Sequence, residues 1–246
     1  MHIDSVLTQL RSLKLSVMAE AVQRRLSLGE HHRLAPDDFF ALLVEDEFTA
    51  RAQRRIQRLI ATAEFKPEGA CLENVLASPT RGLDQLTLAR FTTATWITQA
   101  TNVILTGATG VGKTYVAEAI GLQACRHGYS VRKLRYKHFF EELNAARGTR
   151  GLLKYLRKLQ ATAVVILDDF LMAAVPTDDL TNLLELIEER TQVGSLILTT
   201  QYPLADWHRM IPDPTLADAI CDRLVHTSVI IRLQGDSMRK RTPPAV

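Results

Sequence analysis

The feature that most constrains this 246-residue chain is the octapeptide Gly107-Ala108-Thr109-Gly110-Val111-Gly112-Lys113-Thr114. It fits G-x-x-x-x-G-K-[ST], and it stands between an apolar run at 102–106 and a segment of helical periodicity from Lys113 to His127. Glycines let several backbone N–H groups converge on one anion, and a helix N-terminus adds favourable partial charge. In such a loop Lys113 reaches the β- and γ-phosphates of a nucleoside triphosphate and the Thr114 hydroxyl holds Mg²⁺. The expected cradle runs from Gly107 to Tyr115. A strand, a phosphate loop and a helix in this order demand an α/β fold around a parallel sheet.

A second element supports the first. Val164-Val165-Ile166-Leu167 runs directly into Asp168-Asp169, which puts paired carboxylates at the end of an apolar strand about 55 residues beyond the loop. Asp168 is the Mg²⁺ candidate, and Asp169 is placed to orient or deprotonate an attacking water. A third element, Leu198-Thr199-Thr200-Gln201, ends the next strand. A polar side chain there can stand between the carboxylates and the γ-phosphate, although from spacing alone a strand end capped by hydroxyls is the simpler reading. Other chemistries have no footing. The seven histidines are scattered without an H-x-x-x-H pair, and there is no G-x-S-x-G elbow. Cys71, Cys125 and Cys221 are odd in number and far apart, which predicts free thiols and a reducing cytoplasm.

Five candidate strands, 102–106, 129–134, 163–167, 195–200 and 227–233, alternate with helical segments such as 113–127 and 178–192. Gly128 and Gly194 stand where left-handed caps are expected after those two helices. Residues 1 to about 65 instead read as helical throughout, with Gly29 as a stop and Pro36-Asp37-Asp38 opening a longer helix. The break at Lys66-Pro67-Glu68-Gly69 sets the expected boundary between a helical domain, 1–66, and an ATPase domain, 67–246. The longest apolar runs fall far short of the ~20 residues of a membrane helix, and no signal peptide is visible, so no membrane role is expected.

Charge is concentrated rather than abundant. The net charge is +3, yet ten Lys and Arg lie between Arg126 and Lys158 against two acids, Glu141 and Glu142. That asymmetry suggests a polyanion, with Lys133, Arg135, Lys137, Arg147 and Arg150 as the candidate phosphate contacts. Arg51, Arg54, Arg55 and Arg58 recur at i, i+3, i+4 and i+7, which places four guanidiniums on one helix face. A solvated charged face and a phosphate-facing stripe explain that spacing equally well.

The whole chain resembles the IstB group, helper ATPases of insertion-sequence transposition in the DnaC/DnaA-like branch of the AAA+ superfamily. The resemblance is carried by Gly107 to Thr114, Leu167-Asp168-Asp169-Phe170, Leu184 to Arg190, Thr200-Gln201-Tyr202-Pro203 with Asp206-Trp207-His208, Leu216 to His226, and Ser237-Met238-Arg239-Lys240. Leu10 to Leu15 with Met18-Ala19 is similar to the group's opening. The resemblance implies a small all-helical domain on an AAA+ core with strand order 5-1-4-3-2 and no sizeable C-terminal lid. It implies ATP and Mg²⁺ as ligands, assembly of a homo-oligomer on duplex DNA, and stimulation of an IstA-like transposase while the target is chosen. Hydrolysis would then drive release or remodelling. It also implies roles: Asp168 on the metal side, Asp169 as the second catalytic carboxylate, Thr200 or Gln201 as sensor. Arg223 would be the finger given to a neighbouring subunit, and Arg239 a nucleotide-sensing arginine. The alternative for Arg223 is an ion pair within the chain, to Asp218, Asp222 or another acid.

Two residues depart from the group's pattern. Leu171 stands where glycine is usual after Asp-Asp-aromatic, and Thr191 follows Arg190 where an aromatic is common. Asp169 in place of Glu shortens the water-positioning acid by one methylene and predicts slow turnover. The nearest competing function is a DnaC-like replicative helicase loader, and the Asp-Trp-His and Ser-Met-Arg-Lys segments favour the transposition helper. A small-molecule P-loop kinase leaves the helical domain without a role. A DNA-binding scaffold with negligible hydrolysis leaves Asp168, Asp169 and Arg223 without one.

Overall fold

The computed structural model describes residues 2–66, 69–173 and 175–238. Three helices open the chain: α1 (Ile3–Ser12), α2 (Ser16–Ser27) and α3 (Pro36–Ala63). Two short helices follow, α4 (Gln85–Ala89) and α5 (Thr95–Thr98). Strands and helices then alternate as β1 (Asn102–Thr106), α6 (Lys113–Arg126), β2 (Val131–Arg135), α7 (Tyr136–Gly148), α8 (Leu152–Gln160), β3 (Val164–Asp168) and α9 (Thr177–Arg190). The series closes with β4 (Ser195–Thr200), α10 (Trp207–Met210), α11 (Pro214–Val225) and β5 (Ser228–Arg232). The chain divides inside α3 into two compact units, Met1–Arg58 and Leu59–Val246. Among the described residues no helix is long and apolar enough to cross a membrane.

The first unit is held by a small apolar centre of Leu7, Ala19, Ala21, Val22 and Leu43. Its helices are not continuous: Lys14 adopts φ 60° between α1 and α2, and Gly29 φ 68° after α2. Pro36 opens α3 at a position that needs no N–H, with Asp37 and Asp38 favouring the positive end of the helix. One polar group is buried among the apolar ones. Glu47 accepts the Met18 N–H at 2.9 Å and the Arg51 Nε–H at 2.8 Å. Burial alone would raise its carboxyl, but these hydrogen bonds, with the charge of Arg51 and the Val17 backbone, outweigh that effect and hold it below the usual carboxylate range.

The second unit is built on one parallel five-stranded sheet in the order β2-β3-β4-β1-β5, which read from the other edge is 5-1-4-3-2. Side chains alternate between two apolar layers. Val103, Leu105, Val164, Ile166 and Ile197 face a layer that includes Val116, Ala117 and Ile120 of α6. Ile104, Val165, Leu167, Leu196 and Leu198 face a layer formed with α7, α8, α9 and α11. A sheet buried on both faces explains why these strands read as unbroken apolar runs. Topology also fixes the site. β4 lies between β3 and β1, so the carboxyl ends of three strands meet where the phosphate loop begins.

The strand expectations hold with small shifts at β2, β3 and β5. Gly128 closes α6 with φ 84°, as expected. Gly194 does not take the left-handed cap; Gln192 does, at φ 68°. Gly194 is required for a different reason: a Cβ there would stand 2.7 Å from Nη2 of Arg190 and 2.9 Å from the Ala163 carbonyl oxygen. Arg190 is fully buried and donates to the carbonyls of Leu159 (2.6 Å), Thr162 (2.7 Å) and Ser195 (2.8 Å), so it ties the end of α8 to the start of β4. Burial pushes its guanidinium down to about 10.

Candidate nucleotide site

The loop from Gly107 to Gly112 joins β1 to α6, and its three glycines take φ 146°, 89° and 99° at 107, 110 and 112. These angles are open to glycine and strained for other residues. Gly110 has a second constraint, because a Cβ there would collide with Ser237 Oγ. The chain after β5 runs along the outside of the loop: Leu233 N–H bonds the Thr106 carbonyl at 2.8 Å, and Met238 N–H bonds that of Gly110 at 2.8 Å. Arg81 fixes the same side by donating to the carbonyls of Val111 and Leu76, each at 2.8 Å. Lys113 folds back, its Nζ donating to the Gly107 carbonyl at 2.8 Å and that of Ala108 at 2.9 Å. Tyr115 is exposed on the next turn.

The strand ends bring the acids to this loop. Thr114 Oγ1 donates to Asp168 Oδ1 at 2.8 Å, across 54 residues of sequence. Thr199 Oγ1 donates to the same oxygen at 2.6 Å and accepts the Asp169 N–H at 3.0 Å. Asp168 is buried and Asp169 exposed. The Asp169 backbone is left-handed, at φ 59°. Phe170 anchors the turn, donating its N–H to the Thr199 carbonyl at 2.7 Å while its ring packs 5.0 Å from those of Tyr136 and Trp207. The two sensor candidates part company. Thr200 is buried and its hydroxyl accepts the Tyr202 N–H at 3.2 Å, whereas Gln201 Oε1 accepts the Thr109 hydroxyl at 3.1 Å.

These donors fit the ligands expected. Thr114 and Asp168 form an all-oxygen pair, and Mg²⁺ typically takes one or two protein oxygens together with substrate phosphates. Among the described residues no cluster of three or more His, Cys, Asp or Glu could hold a metal by itself. The loop glycines and the start of α6 supply the anion cradle. Arg223 is not in this cluster: it pairs with Glu188 at 2.7 Å and donates to the Ala219 carbonyl at 3.2 Å. Arg239 lies outside the described residues.

The basic residues separate into distinct sets. Lys14 joins Arg51, Arg54, Arg55 and Arg58 in lining one shallow concavity of the first unit. Arg51 also pairs with Glu47 at 2.8 Å. Arg135 and Lys137 are exposed at the start of α7, while Arg147 and Arg150 stand at its end, roughly 15 Å away at 1.5 Å per residue. Arg147 pairs with buried Asp179 at 2.9 Å. Lys133 requires a correction. It is buried, it pairs with Glu118 of α6, and its Nζ lies 3.8 Å from Asp168 Oδ2. Alternation along β2 turns it inward with Val131, so it cannot serve as a surface contact to DNA.

Sequence reasoning missed Thr199, Glu118, Arg81 and Ser237. Thr199 was detectable: adjacent strand residues face opposite ways, so only one of Thr199 and Thr200 can turn toward Asp168. Glu118 was signalled by a lone acid among the apolar residues of α6. The contacts of Arg81 and Ser237 had no local signal.

The family model described as IstB-like ATP binding protein matches residues 8–244. An insertion sequence ATP-binding protein of Sinorhizobium fredii is 35% identical over 239 residues, covering 97% of this chain and 96% of that one. The ATP-binding protein of insertion sequence IS1162 from Pseudomonas fluorescens is 39% identical over 203 residues, covering 82% and 88%. Among solved structures, the DnaC helicase loader superposes with a TM-score of 0.57 at 17% identity, covering 67% of this chain and 97% of the loader, which is a likeness of fold.

The turn beside the acids carries one further strain. Leu171, where the resemblance leads one to expect glycine, has φ 64° and is buried in the apolar layer. The left-handed conformation costs a side-chain-bearing residue roughly 1–2 kcal/mol. Burying a leucine gains about 1.5–3 kcal/mol, so the departure is tolerated. Leu171→Gly should destabilise the protein by about 1–3 kcal/mol, because the burial forgone and the cavity left exceed the strain released. Leu171→Ala, which forgoes burial and keeps the strain, should be the less stable of the two in urea unfolding. An alanine variant more stable than the glycine variant would show that the turn is not strained.

Proposed function

The chain belongs to the IstB-like ATP-binding family, and from that premise we propose that it is an ATPase that assembles on duplex DNA with ATP, prepares the target and stimulates a partner transposase. The observation that carries the nucleotide half is the hydrogen bond from Thr114 to Asp168, which unites the phosphate loop with the strand-end carboxylate. Lys113 would exchange the carbonyls of Gly107 and Ala108 for the β- and γ-phosphates of the substrate. Thr114 and Asp168 would hold Mg²⁺, which when bound supplies charge neutralisation at the phosphates. Asp169 would orient the attacking water and accept its proton, and Gln201, already on Thr109, would sense the γ-phosphate.

The other half rests on the relatives and on charge. Two relatives named for insertion sequences align over 97% and 82% of this chain at 35% and 39% identity, against 17% for the helicase loader, and this supports a transposase rather than a replicative helicase as the partner. The helical domain, 1–66 on our reading, would bring the cleft of Lys14 and the four arginines to DNA phosphates. Arg135, Lys137, Arg147 and Arg150 would add contacts from the ATPase domain. Arg223, half-exposed and oriented by Glu188, would leave that partner for the nucleotide of a neighbouring copy.

Sharing of the site between copies has a direct test. Lys113→Ala should lose ATP binding, whereas Arg223→Ala should bind ATP yet hydrolyse it poorly, since an arginine finger is worth about 10³–10⁵ in rate. Mixed, the two variants should regain part of the activity, because each supplies what the other lacks. Co-assembled but inactive mixtures would mean that Arg223 does not act across an interface.

The DNA role is read from salt. Replacing Arg54, Arg55 and Arg58 with alanine should weaken duplex binding and flatten the plot of log affinity against log salt by about 0.9 for each phosphate no longer neutralised. Sequence preference should stay unchanged, because arginines on phosphates position the protein rather than read the bases. An unaltered slope would remove the helical domain from the DNA interface.

A further inference from the structure

Behind the carboxylate that faces Thr114 lies a buried pair of opposite charges that the nucleotide site does not itself require. Lys133 of β2 and Glu118 of α6 are each under a tenth exposed and in direct contact. The Lys66 N–H lies 3.4 Å from the Glu118 carboxylate. The ammonium stops 3.8 Å short of Asp168 Oδ2, outside hydrogen-bond distance, while Asp168 Oδ1 takes the hydroxyls of Thr114 and Thr199. Lys133 therefore has two carboxylates to choose between and is bound to the one away from the phosphate loop.

That choice matters because a cation near a carboxylate acts in two ways. At a distance it offsets the negative charge and makes burial of Asp168 tolerable. In direct contact it competes with any other cation for the same oxygen. We propose that Glu118 and Lys133 are positioning residues for the metal-side carboxylate: Lys133 offsets the charge of Asp168, and Glu118 holds the ammonium back so that Asp168 stays available to a divalent ion. The inference rests on the reading of Thr114 and Asp168 as the Mg²⁺ ligands. With Glu118 and Asp168 both ionised, the three groups carry a net charge of −1, which suits arrival of a cation at the Thr114 edge.

The test uses binding of a fluorescent ATP analogue to the full-length protein, titrated with Mg²⁺ and repeated in EDTA. Glu118→Gln keeps the shape and removes the charge, so Lys133 should move onto Asp168. An opposite charge at contact distance shifts a carboxylate's preference by about 1–3 log units, and the Mg²⁺ concentration for half-maximal enhancement should rise by about tenfold or more. The double variant Glu118→Gln/Lys133→Met removes the competitor as well and should return that midpoint to within about twofold of the wild type. A merely structural pair would instead make the double variant no better than the single one. Binding in EDTA should be unchanged throughout. If Glu118→Gln does not fold, Glu118→Asp should move the midpoint in the same direction by a smaller factor. An unmoved midpoint in a folded Glu118 variant, a double variant without rescue, or loss of binding in EDTA overturns the inference while leaving the nucleotide site in place. A wild-type protein that binds the analogue neither with Mg²⁺ nor without it overturns the site reading, and the inference with it.

Discussion

The hydrogen bond between Thr114 and Asp168 is the contact on which the arrangement of the second unit converges. It can form only if β1 and β3 run parallel and end at the same edge, with β4 between them and the loop after β1 turned back over that edge. Each requirement has a physical cause in the sequence. Apolar runs buried on both faces give the parallel sheet, and glycines at 107, 110 and 112 give the loop its left-handed turns. Thr199, at the end of the intervening strand, closes the gap by touching Asp168 with its hydroxyl and receiving the Asp169 N–H.

The outside of the phosphate loop is as closely defined as the inside. Arg81 holds the Val111 carbonyl, and the segment after β5 lies along Thr106, Gly107 and Gly110. Gly110 is thus confined from two directions, by its own φ and by Ser237. These contacts place the chain's last described residues directly against the phosphate loop.

How much is legible in the sequence depends on whether the signal is local. The phosphate loop, the paired acids and the apolar strands are contiguous patterns, and their positions can be read to within two residues. The strand order comes only through resemblance to a family, since pairing between distant strands leaves no local mark. Where a count replaces a direction, the reading fails. Ten basic residues between 126 and 158 suggest one surface, yet β2 alternates and turns Lys133 inward toward Glu118. Gly194 suggests a cap because glycine usually serves there, whereas the structure uses its missing side chain to make room for Arg190. Thr199 is overshadowed by its neighbours Thr200 and Gln201, although strand parity separates it from Thr200.

The proposed function requires that nucleotide and DNA together convert separate chains into a working assembly. The most direct measurement is the mass of the protein in solution, by sedimentation or light scattering, alone, with ATP and Mg²⁺, with duplex DNA, and with all of them. Large assemblies are expected when ATP and duplex DNA are both present, and a chain lacking the Lys113 ammonium should not form them. A protein that binds both ligands yet keeps the mass of a single chain under every condition would rule out such an assembly.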